Sequence, residues 1–187
     1  DRELARVLSG CYEEMSWAVA RLAVAGKGSL SMRTHGDLHL AQILVAQQDA
    51  VFVDFEGEPV RPIQERRAKS SPMRDVAGLL RSFDYAAAMA GSGSTPINSA
   101  AQKVNLQILQ RFRDAAMEAF LSTYREASAD FTQGWPDDAA SSLIDLFLLE
   151  KAAYEIVYEA ANRPAWLFVP LRGMANVMQQ LGVFKSD

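Results

Sequence analysis

Cysteine and histidine are nearly missing from this chain: one Cys and two His in 187 residues. Cys11 has no partner for an internal disulfide, so a disulfide-stapled fold is excluded and a reducing compartment is favoured. No run approaches the roughly 18 apolar residues that a membrane-spanning helix needs. The charged start, Asp1-Arg2-Glu3-Leu4, lacks the basic-then-apolar layout of a secretory signal. An excess of one charge is absent as well. The balance of 19 Lys and Arg against 23 Asp and Glu gives a net charge of −4, with a pI near 5.3. That leaves no general electrostatic footprint for nucleic acid. The expectation is a soluble cytoplasmic protein with neither nucleic acid nor membrane as a partner. There is no starting Met and the chain opens inside what reads as a helix, so it is expected to be part of a longer polypeptide.

What is present is ordinary for a folded domain. Hydrophobic residues make up 49% and charged residues 22%, which excludes disordered and collagen-like chains. The length suits one domain or one large lobe, with room for a sizeable core. Leu4, Leu8, Cys11, Met15, Ala18 and Leu22 share one helical stripe, predicting a helix over 1–25, ended by Gly26-Lys27-Gly28-Ser29. The period then changes. Ile43-Leu44-Val45 and Val51-Phe52-Val53 read as two short strands, with Gln47-Gln48-Asp49 as their turn. Residues 55–70 read as irregular. Ser71-Pro72 pairs an N-cap with a first-turn proline, starting a helix that runs to about 90. Gly91-Ser92-Gly93-Ser94-Thr95-Pro96 reads as a loop. Further helices are expected over about 100–127, 138–161 and 169–181, with a loop at 129–136 and helix-start charge at Asp137-Asp138. Five helices around one hairpin exclude a doubly wound parallel sheet.

The chemistry lies around that hairpin. His35-Gly36-Asp37-Leu38-His39-Leu40-Ala41-Gln42 precedes it, and Val53-Asp54-Phe55-Glu56-Gly57 closes it. Phosphoryl transfer by kinases uses a loop Asp, an amide five residues later and then a second Asp that holds metal. Asp37, Gln42 and Asp54 stand in that order. A loop leaving a buried segment can aim Asp37 at a substrate hydroxyl. The amide of Gln42 is a hard neutral ligand for Mg²⁺, and a two-strand ribbon returns the Asp54 carboxylate. Each piece alone also reads as a capped turn or a strand end; the joint order and spacing carry the kinase reading.

These words resemble the phosphotransferase family of aminoglycoside and choline kinases, whose loop reads His-Gly-Asp. More closely, they resemble the maltokinases, which make maltose 1-phosphate from maltose and ATP. The similarity continues through Asp54-Phe55-Glu56-Gly57-Glu58-Pro59, Glu65-Arg66-Arg67, Ser71 to Ala86, Glu150-Lys151-Ala152-Ala153-Tyr154-Glu155 and Asn162-Arg163-Pro164-Ala165-Trp166. Ala41 departs from the Gly expected there. The resemblance implies a mainly α fold with a small β-hairpin: the C-terminal, substrate- and metal-binding lobe of a protein-kinase-like enzyme. All of 1–187 would belong to it, and the N-terminal nucleotide lobe would lie outside this chain. It implies Asp37 as the catalytic base, Gln42 and Asp54 as Mg²⁺ ligands, and ATP as co-substrate. His35 and Asp75 would support the loop, and Glu56 would serve metal or fold. Phosphorylation would fall on the anomeric hydroxyl of maltose, feeding trehalose and glycogen metabolism, with a trehalose synthase domain in the same parent chain. The alternatives are a kinase for glucosamine or another small hydroxyl substrate, or a silent sugar-binding module. The fragment alone is expected to be inactive.

Other features have competing readings. Gly26-Lys27-Gly28-Ser29 lacks the first Gly and the preceding strand of a P-loop. His35, Asp37 and His39 match a facial triad in residue type, but His35 reads better as a loop brace. Arg61, Arg66, Arg67 and Lys69 suit either phosphate or a solvated loop. On the helix 138–161, Glu150, Tyr154 and Val157 share one stripe and Lys151, Glu155 and Glu159 another, and the apolar members are expected in the core. Tyr154, Glu155, Tyr158, Glu159, Asn162, Arg163 and Trp166 together offer the carboxylates, amide, guanidinium and aromatic faces that bind sugars; an ion-paired helix surface is the other reading.

Overall fold

The computed structural model describes residues 2–91 and 100–183. Among these, the regular secondary structure is α-helical except for short 3₁₀ turns and one antiparallel two-stranded hairpin, which is largely exposed. The amphipathic N-terminal stripe is carried by two helices rather than one, α1 (Arg2–Gly10) and α2 (Tyr12–Ala25), because Cys11 leaves helical geometry. The stripe survives the break. Leu8, Ala18 and Leu22 are buried, and Leu4, Cys11 and Met15 pack against the same core.

Strands β1 (Ile43–Ala46) and β2 (Asp49–Phe52) pair from Ile43 opposite Phe52 to Ala46 opposite Asp49. Gln47 and Gln48 alone make the turn, both at positive φ, 52° and 66°. A two-residue turn of that hand follows the twist of the strands, so Asp49 begins β2 instead of belonging to the turn.

Residues Ile63–Arg67, expected to be irregular, form a short helix, α3. Helix α4 (Met73–Gly91) starts where the sequence signals it, with the Ser71 hydroxyl accepting from the Met73 N–H at 3.3 Å. Helix α5 (Ala100–Thr132) continues through the segment expected to be a loop after 128. The Gly/Ser-rich stretch 92–96 lies outside the described residues. Helices α6 (Ala139–Asn162) and α7 (Phe168–Gln180) complete the order.

Helix α6 is the spine. Leu149 and Ala152 face one core with Leu8 and Leu22 of the N-terminal helices and Leu171, Met174 and Met178 of α7. Leu143 and Ile144 face a second core with Met73, Val76 and Leu80 of α4 and Phe120 and Leu121 of α5. Fully burying such side chains is worth about 1.5–3 kcal/mol each, which fixes α4 against α6. Val157, expected in the core, is 71% exposed. No helix is long and apolar enough to cross a membrane among the described residues.

Candidate active site

The loop from Thr34 to Leu40 has little regular structure of its own and is held by one face of α4. Asp75 accepts from the backbone N–H groups of His35 at 2.6 Å and Gly36 at 2.9 Å. Gly78, about one turn on, has no side chain where the Leu38 carbonyl lies; a Cβ there would sit 2.7 Å from that oxygen. Ser82 receives the Leu40 N–H at 3.2 Å. Positions 75, 78 and 82 recur at helical spacing and present one face to the loop. Burial pushes the Asp75 carboxyl up, and the two N–H donors only partly oppose it.

From the other side the loop meets the end of the hairpin. His35 Nε2 lies 2.8 Å from the Val53 carbonyl, and its ring is 4.7 Å from that of Phe55. Gly36, at φ +85°, packs against Gly57, at φ +77°: a Cβ on Gly36 would sit 3.2 Å from the Gly57 Cα. A Cβ on Gly36 would require the Gly57 backbone to give by a few tenths of an ångström, and the positive φ of both residues favours glycine as well. Asp54 follows Val53 in the left-handed region, φ 66°, which Asp tolerates better than most residues. Gln42 donates to its carboxylate at 3.0 Å. Gln42 and Asp54 are thus side by side and solvent-facing. Among the described residues no group of three or more His, Cys, Asp or Glu side chains could cage an ion. One carboxylate beside one amide still suits Mg²⁺, which takes few protein ligands and completes its shell with water and phosphate oxygens. Turning the Gln42 amide would present its oxygen.

Asp37 points to the opposite wall, supplied by α6. Lys151 Nζ stands 3.4 Å from Asp37 Oδ1 and 3.3 Å from Glu58 Oε1. Glu58 is buried, and Arg61 donates to its other oxygen at 3.0 Å. Arg61 and Arg74 both bind Glu150, Arg74 through two bonds of 2.8 and 3.0 Å. Burial pushes Glu58 and Glu150 up, but the neighbouring cations outweigh it and hold both below the usual carboxylate range. Tyr154 lines the same cleft, its hydroxyl pushed up to about 12 by burial first and the Glu58 charge second.

The seven residues grouped by sequence for sugar binding do not form one surface. Tyr154 reaches the Asp37 cleft. Glu155 and Glu159 point into the α4–α6 contact. There Glu155 accepts two bonds from Arg81, at 2.7 and 2.9 Å, and Glu159 accepts from Tyr85 and Arg163. Tyr158 stacks beside Tyr154, Asn162 bonds its own helix backbone, and Trp166 stacks on Phe168. Burial pushes the Glu155 carboxyl up, despite Arg81. The ion-paired reading therefore describes Glu155, Glu159 and Arg163. Two residues of the basic cluster are likewise committed, Arg61 to Glu58 and Glu150, and Arg66 to Glu56, whose carboxylate turns 3.9 Å from it, whereas Arg67 and Lys69 are exposed. Gly26 caps α2, with the Ser29 hydroxyl on its carbonyl. His39 is extended and precedes the turn Leu40–Gln42. Glu58, Lys151 and Arg74 were inside motifs noted in the sequence, but nothing local marked them as neighbours of Asp37.

No protein-family model matches the chain. It is 27% identical over 158 residues to a glucosamine kinase of Streptacidiphilus jiangxiensis, covering 82% of this chain and 33% of that protein. It is 29% identical over 136 residues to a glucosamine kinase of Mycolicibacterium smegmatis (strain ATCC 700084 / mc(2)155), covering 73% of this chain and 32% of that protein. The chain thus spans about a third of the length of these curated relatives. Solved structures agree. A glucosamine kinase in complex with glucosamine, ADP and inorganic phosphate superposes with a TM-score of 0.65 at 25% identity, over 95% of this chain and 48% of that one. Another crystal form of glucosamine kinase matches with a TM-score of 0.65 over 95% of this chain and 47% of that one. The mainly helical architecture with its small hairpin is therefore similar to part of a sugar phosphotransferase.

Proposed function

We propose that this chain is the acceptor- and metal-binding lobe of an ATP-dependent sugar kinase. The observation that carries this is the His35–Val53 contact, which ties the loop bearing Asp37 to the end of the hairpin bearing Asp54, in a chain similar over most of its length to glucosamine kinases. Asp37 would orient the acceptor hydroxyl and take its proton. Gln42 and Asp54 would hold Mg²⁺, which would supply charge neutralisation for phosphoryl transfer. His35 and Asp75 would hold the loop. The acceptor favoured by the comparisons is glucosamine. A second reading, maltose phosphorylated at its anomeric hydroxyl, rests on the resemblance of His35–Gln42, Asp54–Pro59 and Ser71–Ala86 to maltokinases; with it goes a trehalose synthase domain in the same parent chain.

The test is an ADP-release assay on the full-length polypeptide carrying this lobe, with Mg²⁺, ATP and, in separate reactions, glucosamine, glucose and maltose. A kcat/KM at least about tenfold higher for one sugar, equivalent to 1.4 kcal/mol, identifies the acceptor. Absence of sugar-dependent ADP release with all three rejects the sugar-kinase reading.

A further inference from the structure

The Asp37 carboxylate is held on one side only. Its Oδ1 faces Lys151 Nζ at 3.4 Å, while Oδ2 accepts no hydrogen bond among the described residues. Lys151 is itself held. Glu58 Oε1 lies 3.3 Å from Nζ, and the face of Tyr154 lies 5.3 Å away. Beyond Glu58 the charges alternate through Arg61 and Glu150 to Arg74. Arg74 precedes Asp75, which grips the loop. The ammonium is thus fixed by elements that also place the loop, and Arg61 and Arg74 are both engaged by Glu150.

We propose that Lys151 is a positioning residue for phosphoryl transfer: its ammonium, seated by Glu58, clamps Asp37 Oδ1 and turns Oδ2 toward the acceptor hydroxyl. The proposal rests on the sugar-kinase reading. A base must stand within hydrogen-bond reach of the proton it takes, and an unclamped carboxylate at the tip of a loop samples other rotamers. In the transfer the acceptor oxygen bonds the γ-phosphorus, its proton passes to Oδ2, and the bond to the departing ADP oxygen breaks. Lys151 gains and loses no proton.

The experiment is a steady-state double-mutant cycle in the full-length polypeptide, with MgATP and glucosamine or maltose as acceptor. Lys151→Met should lower kcat about 10²-fold, the penalty of a misplaced reacting group, and leave the KM for MgATP within about threefold. Lys151→Arg should recover kcat to within about tenfold of the native enzyme, since it keeps the charge in altered geometry. Glu58→Gln should lower kcat by less than Lys151→Met, because it loosens the clamp without removing it. In an Asp37→Asn background, Lys151→Met should cost less than about a further threefold, because the two act as one unit. An equal loss in both backgrounds, an unchanged kcat for Lys151→Met, or no recovery with Arg would overturn the proposal. Should Lys151→Met fail to fold, the other two variants decide: a kcat for Lys151→Arg more than about tenfold below native, or a native kcat for Glu58→Gln, would overturn the proposal. Asp37→Asn with more than about a tenth of native kcat would instead sink the kinase reading itself.

Discussion

Asp37 and Asp54 carry the same charge but are delivered differently, and their substitution should separate them. Asp37 sits on a loop gripped by α4, with a cation on one oxygen. Asp37→Asn keeps shape and should lower kcat roughly 10²–10⁴-fold, the range for a positioned acid–base group. Asp54 stands beside Gln42 at the end of the hairpin. On the proposed function Asp54→Asn removes a charge that would hold Mg²⁺, so its defect should shrink as Mg²⁺ is raised. Mg²⁺ titrations of kcat/KM on both variants check this; rescue of the Asp37 variant and not of the Asp54 variant would reverse the roles. Arg81 illustrates the other use of charge. It is 2% exposed, binds Glu155 and Asp84, and lies where a Cβ on Gly173 would collide with it. Arg81→Met leaves the buried Glu155 carboxylate without its cation, while the half-buried Asp84 keeps Arg113 at 3.3 Å, and should cost about 3–5 kcal/mol of stability, measured by urea denaturation.

Helix α4 acts as a template for the loop, so its substitutions should reach the chemistry without touching it. Gly78→Ala improves intrinsic helix propensity by up to about 1 kcal/mol. The added methyl meets the Leu38 carbonyl at 2.7 Å, and backbone must shift. We expect kcat to fall more than tenfold, since displacements near 1 Å can cost about 10²-fold, while the melting temperature moves by only a few degrees. A native kcat for this variant would mean the loop is not placed by α4. The contact between α6 and the loop is sensitive to acid. Glu58 and Glu150 are held below their ordinary value of 4.5. Their stabilising effect is therefore complete above that value and lost as pH falls through the lower folded values. Asp75, Asp84 and Glu155 are raised mainly by burial, and push the other way, favouring the folded state as acid is added. The difference between native protein and Glu58→Gln isolates one group: the gap in melting temperature should narrow from pH 6 toward pH 3. A gap constant with pH would show that Glu58 is not held ionised by Lys151 and Arg61.

As a whole, the molecule is a helical body with the hairpin that ends in Asp54 on its surface. Both strands of the hairpin are largely exposed, Val45 by 84%, and an isolated hairpin is marginal in water. Phosphoryl transfer is mostly positioning and charge neutralisation, and the chain spans about a third of its curated relatives. Residues 1–187 alone are therefore expected to unfold cooperatively on heating yet to release ADP at under about one hundredth of the full-length rate. Comparable turnover by the isolated chain would overturn this.

The helices, the hairpin and the sequence words around Asp37 and Asp54 were legible in the amino-acid sequence. Those signals are local: a 3.6-residue stripe, a change of period at Ile43, a Ser-Pro start at 71, and the short spacing from Asp37 to Gln42 to Asp54. Where local signals were weak it erred, joining α1 to α2 across Cys11 and ending α5 early. Tertiary structure alone decided which charges meet. Lys151 is 114 residues from Asp37 and 93 from Glu58, and Arg81 is 74 from Glu155. Adjacent positions on α6 point about 100° apart, so Tyr154 enters the cleft while Glu155 turns to Arg81. Only the packing of α6 against α4 decides which of them lines the Asp37 cleft.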